Sequence, residues 1–128
     1  MGNKEKGANA ERELLHKLVE DGYMAIRIAG SGLLPEPSCD LIAGKFKKKF
    51  AIECKSVKAG KKYLDSNQIE RFMIFASIFG LKPLIAIRFN RLGWYFINPK
   101  HIERSKTGGL VIDLELAQKK GKRFAQTF

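Results

Sequence analysis

Asp40-Leu41-Ile42-Ala43-Gly44-Lys45-Phe46-Lys47-Lys48-Lys49-Phe50-Ala51-Ile52-Glu53-Cys54-Lys55 reads as two strands and a turn. Apolar runs at Asp40 to Gly44 and Lys49 to Val57 flank the basic turn Lys45-Phe46-Lys47-Lys48, and so short a connection joins strands as an antiparallel hairpin. With the turn centred between Phe46 and Lys47, Asp40 lies opposite Glu53. Directly opposed residues have Cβ atoms about 4.5–5.5 Å apart. Side chains alternate along a strand, so Glu53 and Lys55 share one face while Ile52 and Cys54 share the other. Two carboxylates that close repel unless a cation joins them or one stays protonated.

Working outward, Asn3 to Gly7 is polar and is expected to fray. A helix follows from about Ala8 to Asp21, with Leu14, Leu15, Leu18 and Val19 as its buried stripe and Gly22 as its stop. Met24 to Ala29 reads as a strand, and Gly30-Ser31-Gly32 opens a loop that continues through Pro35 and Pro37. Beyond the hairpin, Lys58 to Leu64 reads as a basic loop. A second helix spans Ser66 to Phe79, with Asp65 and Gln68 at capping-box spacing and Gly80 as the stop. Lys82 to Phe89 is a largely apolar strand and so a central one. Trp94 to Asn98 is its successor, Leu110 to Leu114 a weaker short strand, and Gln118 to Phe128 a basic tail expected to be flexible. The order α-β-β-β-α-β-β predicts an α/β protein: one domain over residues 1–128, with a central mixed β-sheet flanked by helices.

Lys and Arg number 24 against 13 Asp and Glu, a formal charge of +11. Nucleic acid is the first partner this suggests, because phosphate neutralisation releases counterions; an anionic membrane surface or a ribosome-associated role comes next. No run of about 18 apolar residues offers a membrane span, and the N-terminus carries no apolar signal segment. Cys39 and Cys54 lack metal-type spacing, so reduced thiols and a cytoplasmic location are expected.

Glu11 breaks the pattern of the first helix. Ala8, Leu14, Leu15 and Leu18 share its face, and an inward carboxylate needs a partner or a cation. The plainer alternative is a favourable charge near the helix N-terminus. Mg²⁺ takes carboxylates and waters in an octahedron. Asp40 and Glu53 are the expected direct ligands, with the Cys54 backbone carbonyl and Glu11, directly or through water, completing the shell. Lys55 would hold or help deprotonate an attacking water, or offset charge on a phosphate. An Asp followed by Glu-x-Lys is, by itself, most often a salt-bridged surface hairpin. The inward Glu11, the Gly-Ser-Gly loop and the net charge together favour catalysis.

These residues resemble the PD-(D/E)xK nuclease pattern, and more closely the archaeal Holliday junction resolvase (Hjc) family. The resemblance rests on Gly7-Ala8-x-Ala10-Glu11-Arg12-Glu13-Leu14, Arg27-x-Ala29-Gly30-Ser31, Asp40-Leu41-Ile42-Ala43-Gly44 and Ile52-Glu53-x-Lys55. It continues in Phe75-x-x-x-Phe79-Gly80, Pro83 and Gly93-Trp94-x-Phe96-Ile97. It implies a restriction-endonuclease-like fold and a homodimer that cuts four-way DNA junctions with Mg²⁺, or Mn²⁺ in its place. Each subunit would nick one of two opposed strands. It also implies catalytic or metal-site roles for Glu11, Asp40, Glu53 and Lys55, a catalytic loop carrying Ser31, DNA phosphate contacts from Arg12 and Arg27, and Phe75 and Phe79 at the subunit interface. The segment between Ser31 and Asp40 is longer than in some members, and Cys54 stands where an aliphatic residue is more usual.

Read for themselves, several other residues fit this picture. Arg27, near a cluster of carboxylates, suits a phosphate or a paired acid, since Arg makes bidentate contacts that Lys does not. Lys58, Lys61 and Lys62, with Lys45, Lys47, Lys48 and Lys49, form two basic segments suited to phosphate contact rather than base reading. Phe72, Phe75 and Phe79 with Ile69, Met73 and Ala76 make an apolar belt too wide for one packing surface, which leaves a face for a second subunit. Gln118 to Phe124 faintly matches a sliding-clamp peptide, with Gly121 where an apolar residue is expected. Competing functions are another PD-(D/E)xK repair or restriction-type nuclease, and a non-catalytic basic DNA-binding module. Leu33-Leu34-Pro35 either packs locally or wedges into an open crossover. If it wedges, replacing both leucines with Ser weakens junction binding in a gel-shift titration while the melting curve stays put; unchanged binding removes the wedge.

Overall fold

The hairpin forms in the expected register. β2 (Leu41–Lys45) and β3 (Lys48–Val57) pair antiparallel, with Leu41 opposite Ile52 and Lys45 opposite Lys48, so the turn is Phe46-Lys47. In this computed structural model, residues 3–28 and 38–128 are described. β1 (Met24–Arg27) lies antiparallel on the outer edge of β2, and β3 pairs in parallel with β5 (Lys82–Phe89), which is joined to the antiparallel β6 (Gly93–Ile97). The five-stranded order β1-β2-β3-β5-β6 is the mixed sheet expected. A parallel pair cannot be joined by a tight turn; here the chain between β3 and β5 carries β4 (Lys61–Leu64) and α2 (Ser66–Phe79).

Helices flank both faces. α1 (Asn3–Glu20) buries Ala10, Leu14 and Leu18 against Leu41, Ala43, Phe50, Ile52, Leu84 and Ala86. On the other face α2 buries Ile69, Phe72 and Ala76 against Ala51, Ile85 and Ile87. The Asp65 carboxylate caps α2 by accepting from the Asn67 N–H at 2.8 Å, and Gly80 ends it in the left-handed region at φ 71°.

Several expectations need correction. The N-terminal residues expected to fray are helical from Asn3. The basic loop Lys58 to Leu64 contains β4, which joins β8 (Leu110–Asp113) and β7 (Glu103–Arg104) in a small second sheet. Its partners lie about fifty residues downstream, so no local hairpin signal marked it. Phe72, expected at a subunit interface, is 1% exposed; its helical position turns it onto the sheet, and Phe79, 64% exposed, is the one turned outward. Phe75 packs beside Phe79 with ring centroids 4.7 Å apart.

Residues 118–128, expected to be a flexible basic tail, are folded onto the sheet. α3 (Leu114–Lys120) is capped by the Asp113 carboxylate, which accepts from the Leu116 N–H at 2.8 Å. The chain then bridges the edge of β6, with the Phe96 N–H donating to the Lys122 carbonyl at 2.8 Å and the Lys122 N–H to the Phe96 carbonyl at 2.9 Å. α4 (Phe124–Thr127) and Phe128 complete an aromatic cluster: Phe128 lies edge-on to Phe96 at 4.9 Å, to Phe50 at 5.1 Å and to Tyr23 at 5.5 Å. Apolar spacing was hidden here because the anchors are isolated phenylalanines among lysines. Such edge-on contacts add to burial. Phe128→Ala should therefore lower the free energy of unfolding by about 1–3 kcal/mol in a urea titration; an unchanged midpoint would mean that the tail is not part of the core.

Candidate active site

Where β2 ends, β3 runs on past it, and the conspicuous acids gather at that step. Continuing the ladder from Leu41 opposite Ile52 puts Asp40 across from Glu53. Asp40 Oδ2 accepts the Cys54 N–H at 2.8 Å, which locks the acid against the exposed edge of β3. The N–H and C=O of one residue in an extended strand point to the same edge, so the Cys54 carbonyl faces this site too. The Cys54 side chain packs with the α1-side core, away from Glu53 and Lys55.

Glu53 is 5% exposed, the only buried charged side chain among the described residues. Burial, then the Asp40 charge, push its carboxyl up from 4.5 to about 8; Glu11 adds to the rise and Lys55 opposes it. Lys55 Nζ lies 4.0 Å from Glu53 Oε2 and donates to Gln68 Oε1 on α2 at 3.3 Å. Glu11 is half-buried on α1, as its apolar neighbours indicated, and Arg27 Nε donates to its Oε1 at 2.9 Å. Burial first, then Asp40, raise the Glu11 carboxyl, and the Arg27 hydrogen bond opposes them. Thus Arg27 takes the acid-pairing role foreseen for it, and Glu11 points to Arg27 while feeling the Asp40 charge.

The structure brings together Glu11, Arg27, Asp40, Glu53, Cys54 and Lys55. Ser31 and the Leu33-Leu34-Pro35 stretch lie outside the described residues. Arg12 is exposed on α1, near enough to Glu11 to lower its pKa. Lys58, Lys61 and Lys62 line a groove with Lys55, Gly7 and Ala10 beside the acids. Lys47 and Lys48 sit apart at the hairpin tip, about 20 Å from Glu53 along β3 at roughly 3.3 Å per residue. Gln68 was missed: its capping-box spacing suggested a bond back to the helix start, whereas its side chain meets Lys55.

The acids can bind a hard cation. Asp40 and Glu53 offer opposed carboxylates on one rim, and burial first, then the Asp40 charge, raise Glu53. Among the described residues no group of three His, Cys, Asp or Glu side chains is arranged to hold an ion, and Glu11 is turned to Arg27.

An acid opposite a Glu-x-Lys strand at the open edge of a mixed sheet is the pattern of the PD-(D/E)xK nuclease class. The model of the archaeal Holliday junction resolvase (Hjc) family matches residues 2–126, and the chain belongs to this family. It is 35% identical to the crossover junction endodeoxyribonuclease Hjc of Archaeoglobus fulgidus over 131 aligned positions, covering 98% of this chain and 96% of that protein. It is 38% identical to the crossover junction endodeoxyribonuclease Hje of Saccharolobus solfataricus over 104 positions, covering 79% and 77%. The crystal structure of the A. fulgidus Hjc, described as a Holliday junction resolvase, superposes with a TM-score of 0.84 at 34% identity, covering 91% of this chain and 94% of that one. The restriction-endonuclease-like α/β fold expected from the sequence is the fold observed.

The Glu53 shift has a consequence for stability. Its folded pKa lies above its unfolded one, so the native state holds the extra proton between them. The associated stability is present below about pH 4.5 and is lost progressively as pH rises toward about 8. In EDTA, Glu53→Gln should be more stable than the wild type at pH 8 by about 2–4 kcal/mol, with the gap closing near pH 4.5. Parallel pH profiles for the two proteins would refute the assignment.

Proposed function

We propose that the protein is a structure-selective endodeoxyribonuclease that resolves four-way DNA junctions with Mg²⁺, making paired symmetric nicks as a homodimer. The observation that carries this reading is the opposition of Asp40 and Glu53 beside Lys55 in a member of the Hjc family. The relatives' names, crossover junction endodeoxyribonucleases, support the substrate.

Asp40, Glu53 and the Cys54 carbonyl would hold the cation, with Glu11 reaching it through water or by leaving Arg27. Bound there, Mg²⁺ (or Mn²⁺) would lower the pKa of a water and offset charge on the phosphate. The protein's residues supply the rest. The Cys54 N–H fixes the Asp40 carboxylate, so that this ligand costs little ordering. Lys55, held between Glu53 and Gln68, would orient the attacking water or meet the charge developing on the phosphate. Arg12 and Arg27 grip flanking phosphates, and Lys58, Lys61 and Lys62 line the approach groove; Lys47 and Lys48 reach further along an arm. Ser31 belongs to the loop beside this site by family resemblance alone.

The outer face of α2 suits a two-fold partner. Ile74, Ile78 and Phe79 are exposed there, and Phe75 adjoins them; a two-fold pair of sites matches the symmetry of a junction. The sliding-clamp reading gains no support, because Phe124, its aromatic anchor, packs on Phe96 and Phe128.

Asp40→Asn should abolish cutting of a synthetic four-way junction in Mg²⁺ while junction binding survives. Linear, flap and three-way DNA serve as comparison substrates and EDTA as the blank. Cutting of linear or flapped DNA instead would assign another nuclease specificity, and binding without cutting would favour the non-catalytic module. Binding should also fall steeply with salt: neutralising roughly 6–10 phosphates gives a log-log slope of several units. Ile78→Glu should yield monomers by sedimentation and convert paired nicks into single ones; an unaltered dimer would move the interface elsewhere.

A further inference from the structure

Among the described residues, Phe46 and Arg91 are the only non-glycine residues with positive φ, and Phe46 is a bulky aromatic at φ 52°. It occupies the first position of the two-residue turn between β2 and β3, with Lys45 opposite Lys48 closing the ladder. Such turns favour Gly, Asn or Asp, whose backbones accept that conformation cheaply. Phe46 is also 96% exposed, the most exposed large hydrophobic residue described. Neither local geometry nor burial explains a phenylalanine there, and an outlier of this kind points to function.

The surroundings narrow its partner. Lys47, Lys48 and Lys49 are all exposed beside it, and no acidic residue lies between Asp40 and Glu53 in sequence. An aromatic ring among cations suits the two faces of a nucleic acid: lysines meet phosphates while the ring meets a base. The turn is also braced. Lys45 Nζ donates to the Asp21 carbonyl at 2.8 Å and lies 5.4 Å from the centre of the Tyr23 ring, and Lys48 Nζ donates to the Phe128 carbonyl at 3.3 Å. A braced tip presents its ring at little cost in ordering.

We propose that Phe46 is a base-contacting residue, stacking on or wedging between nucleobases of a DNA arm about 20 Å from Glu53, while the adjacent lysines hold that arm's phosphates. About 20 Å is some six base steps along a duplex at roughly 3.4 Å each, so the contact senses the arm beyond the scissile step. The inference rests on the junction-resolvase reading above.

The test exploits opposite signs. Phe46→Asn relieves the backbone, so its melting temperature should equal or exceed that of the wild type, yet its junction affinity should fall at least about fivefold. Phe46→Trp should keep the affinity. Junctions carrying 2-aminopurine at successive arm positions report contact directly: wild type and Phe46→Trp should change the fluorescence at one or two positions some six steps from the nick, and Phe46→Asn should not. Equal affinity and equal fluorescence for wild type and Phe46→Asn would overturn the proposal, as would a Phe46→Asn change in oligomeric state with DNA binding intact, which would assign the ring to a protein contact. Wild-type cutting, run alongside, separates the two readings: if wild type neither binds nor cuts junctions, the parent reading fails and this one with it, whereas normal cutting by Phe46→Asn with unaltered affinity removes only the base contact.

Discussion

The hydrogen bond from the Cys54 N–H to Asp40 Oδ2, 2.8 Å long, forms one step beyond the last β2–β3 backbone pair. It turns the end of a ladder into a fixed acid. Because strand side chains alternate, a slip of one residue would send Glu53 and Lys55 to the α1 face and Cys54 to the α2 face. The slip is blocked on both sides. Leu41, Ala43, Phe50 and Ile52 fill the α1 face, Ala51 fills the other, and none of the five can exchange faces without burying a lysine or exposing core. The active geometry is therefore a by-product of core packing on the two strands that carry it.

β3 has a second constraint on its other edge. It pairs with β5 along eight residues from Phe50–Lys82 to Val57–Phe89. Parallel strands of this kind are covered on both faces, and the covering helix α2 is what brings Gln68 within reach of Lys55. Once β2 has stopped, β3 is supported on one edge, and among the described residues no strand pairs with the other. Asp40 and the Cys54 carbonyl face that unpaired edge, while Lys55 is held from the α2 side. Support on one edge and access on the other explain why the acids collect at this step rather than in the middle of the sheet.

The five strands of the main sheet, both long helices and the acidic cluster were legible because the elements that carry the site rest on a local period: alternation in β2 and β3, and a 3.6-residue repeat in α1 and α2. The inward placement of Glu11 followed from the same repeat. What stayed hidden lacks local period. β4 pairs with β8 across α2 and the three strands β5, β6 and β7. Phe124 and Phe128 are single anchors among basic residues, and their partners Tyr23, Phe50 and Phe96 are scattered along the chain. Phe72 and Phe79 belong to one apolar belt in sequence, and only the helix's contact with the sheet separates the buried ring from the exposed one. Gln68 had a cap position to explain it, and its bond to Lys55 needed the third dimension.

A cluster of acids in a chain of charge +11 raises the question of how the site tolerates a polyanion. Range separates the two effects. The exposed lysines act over a screening length of about 10 Å at moderate ionic strength, and they dominate what an approaching duplex feels. Glu53 and Glu11 act only at contact, from partly desolvated positions. Their charge is also conditional. Glu11 is matched by Arg27 at 2.9 Å, and burial with the Asp40 charge raises Glu53 to about 8, which favours its protonated form near neutrality. In the proposed metal site a proton and a divalent cation would compete for one pair of carboxylates. Either occupant would remove negative charge from the path of the phosphate, but only the cation could polarise it, so the burial that raises Glu53 would also suppress repulsion in the resting site.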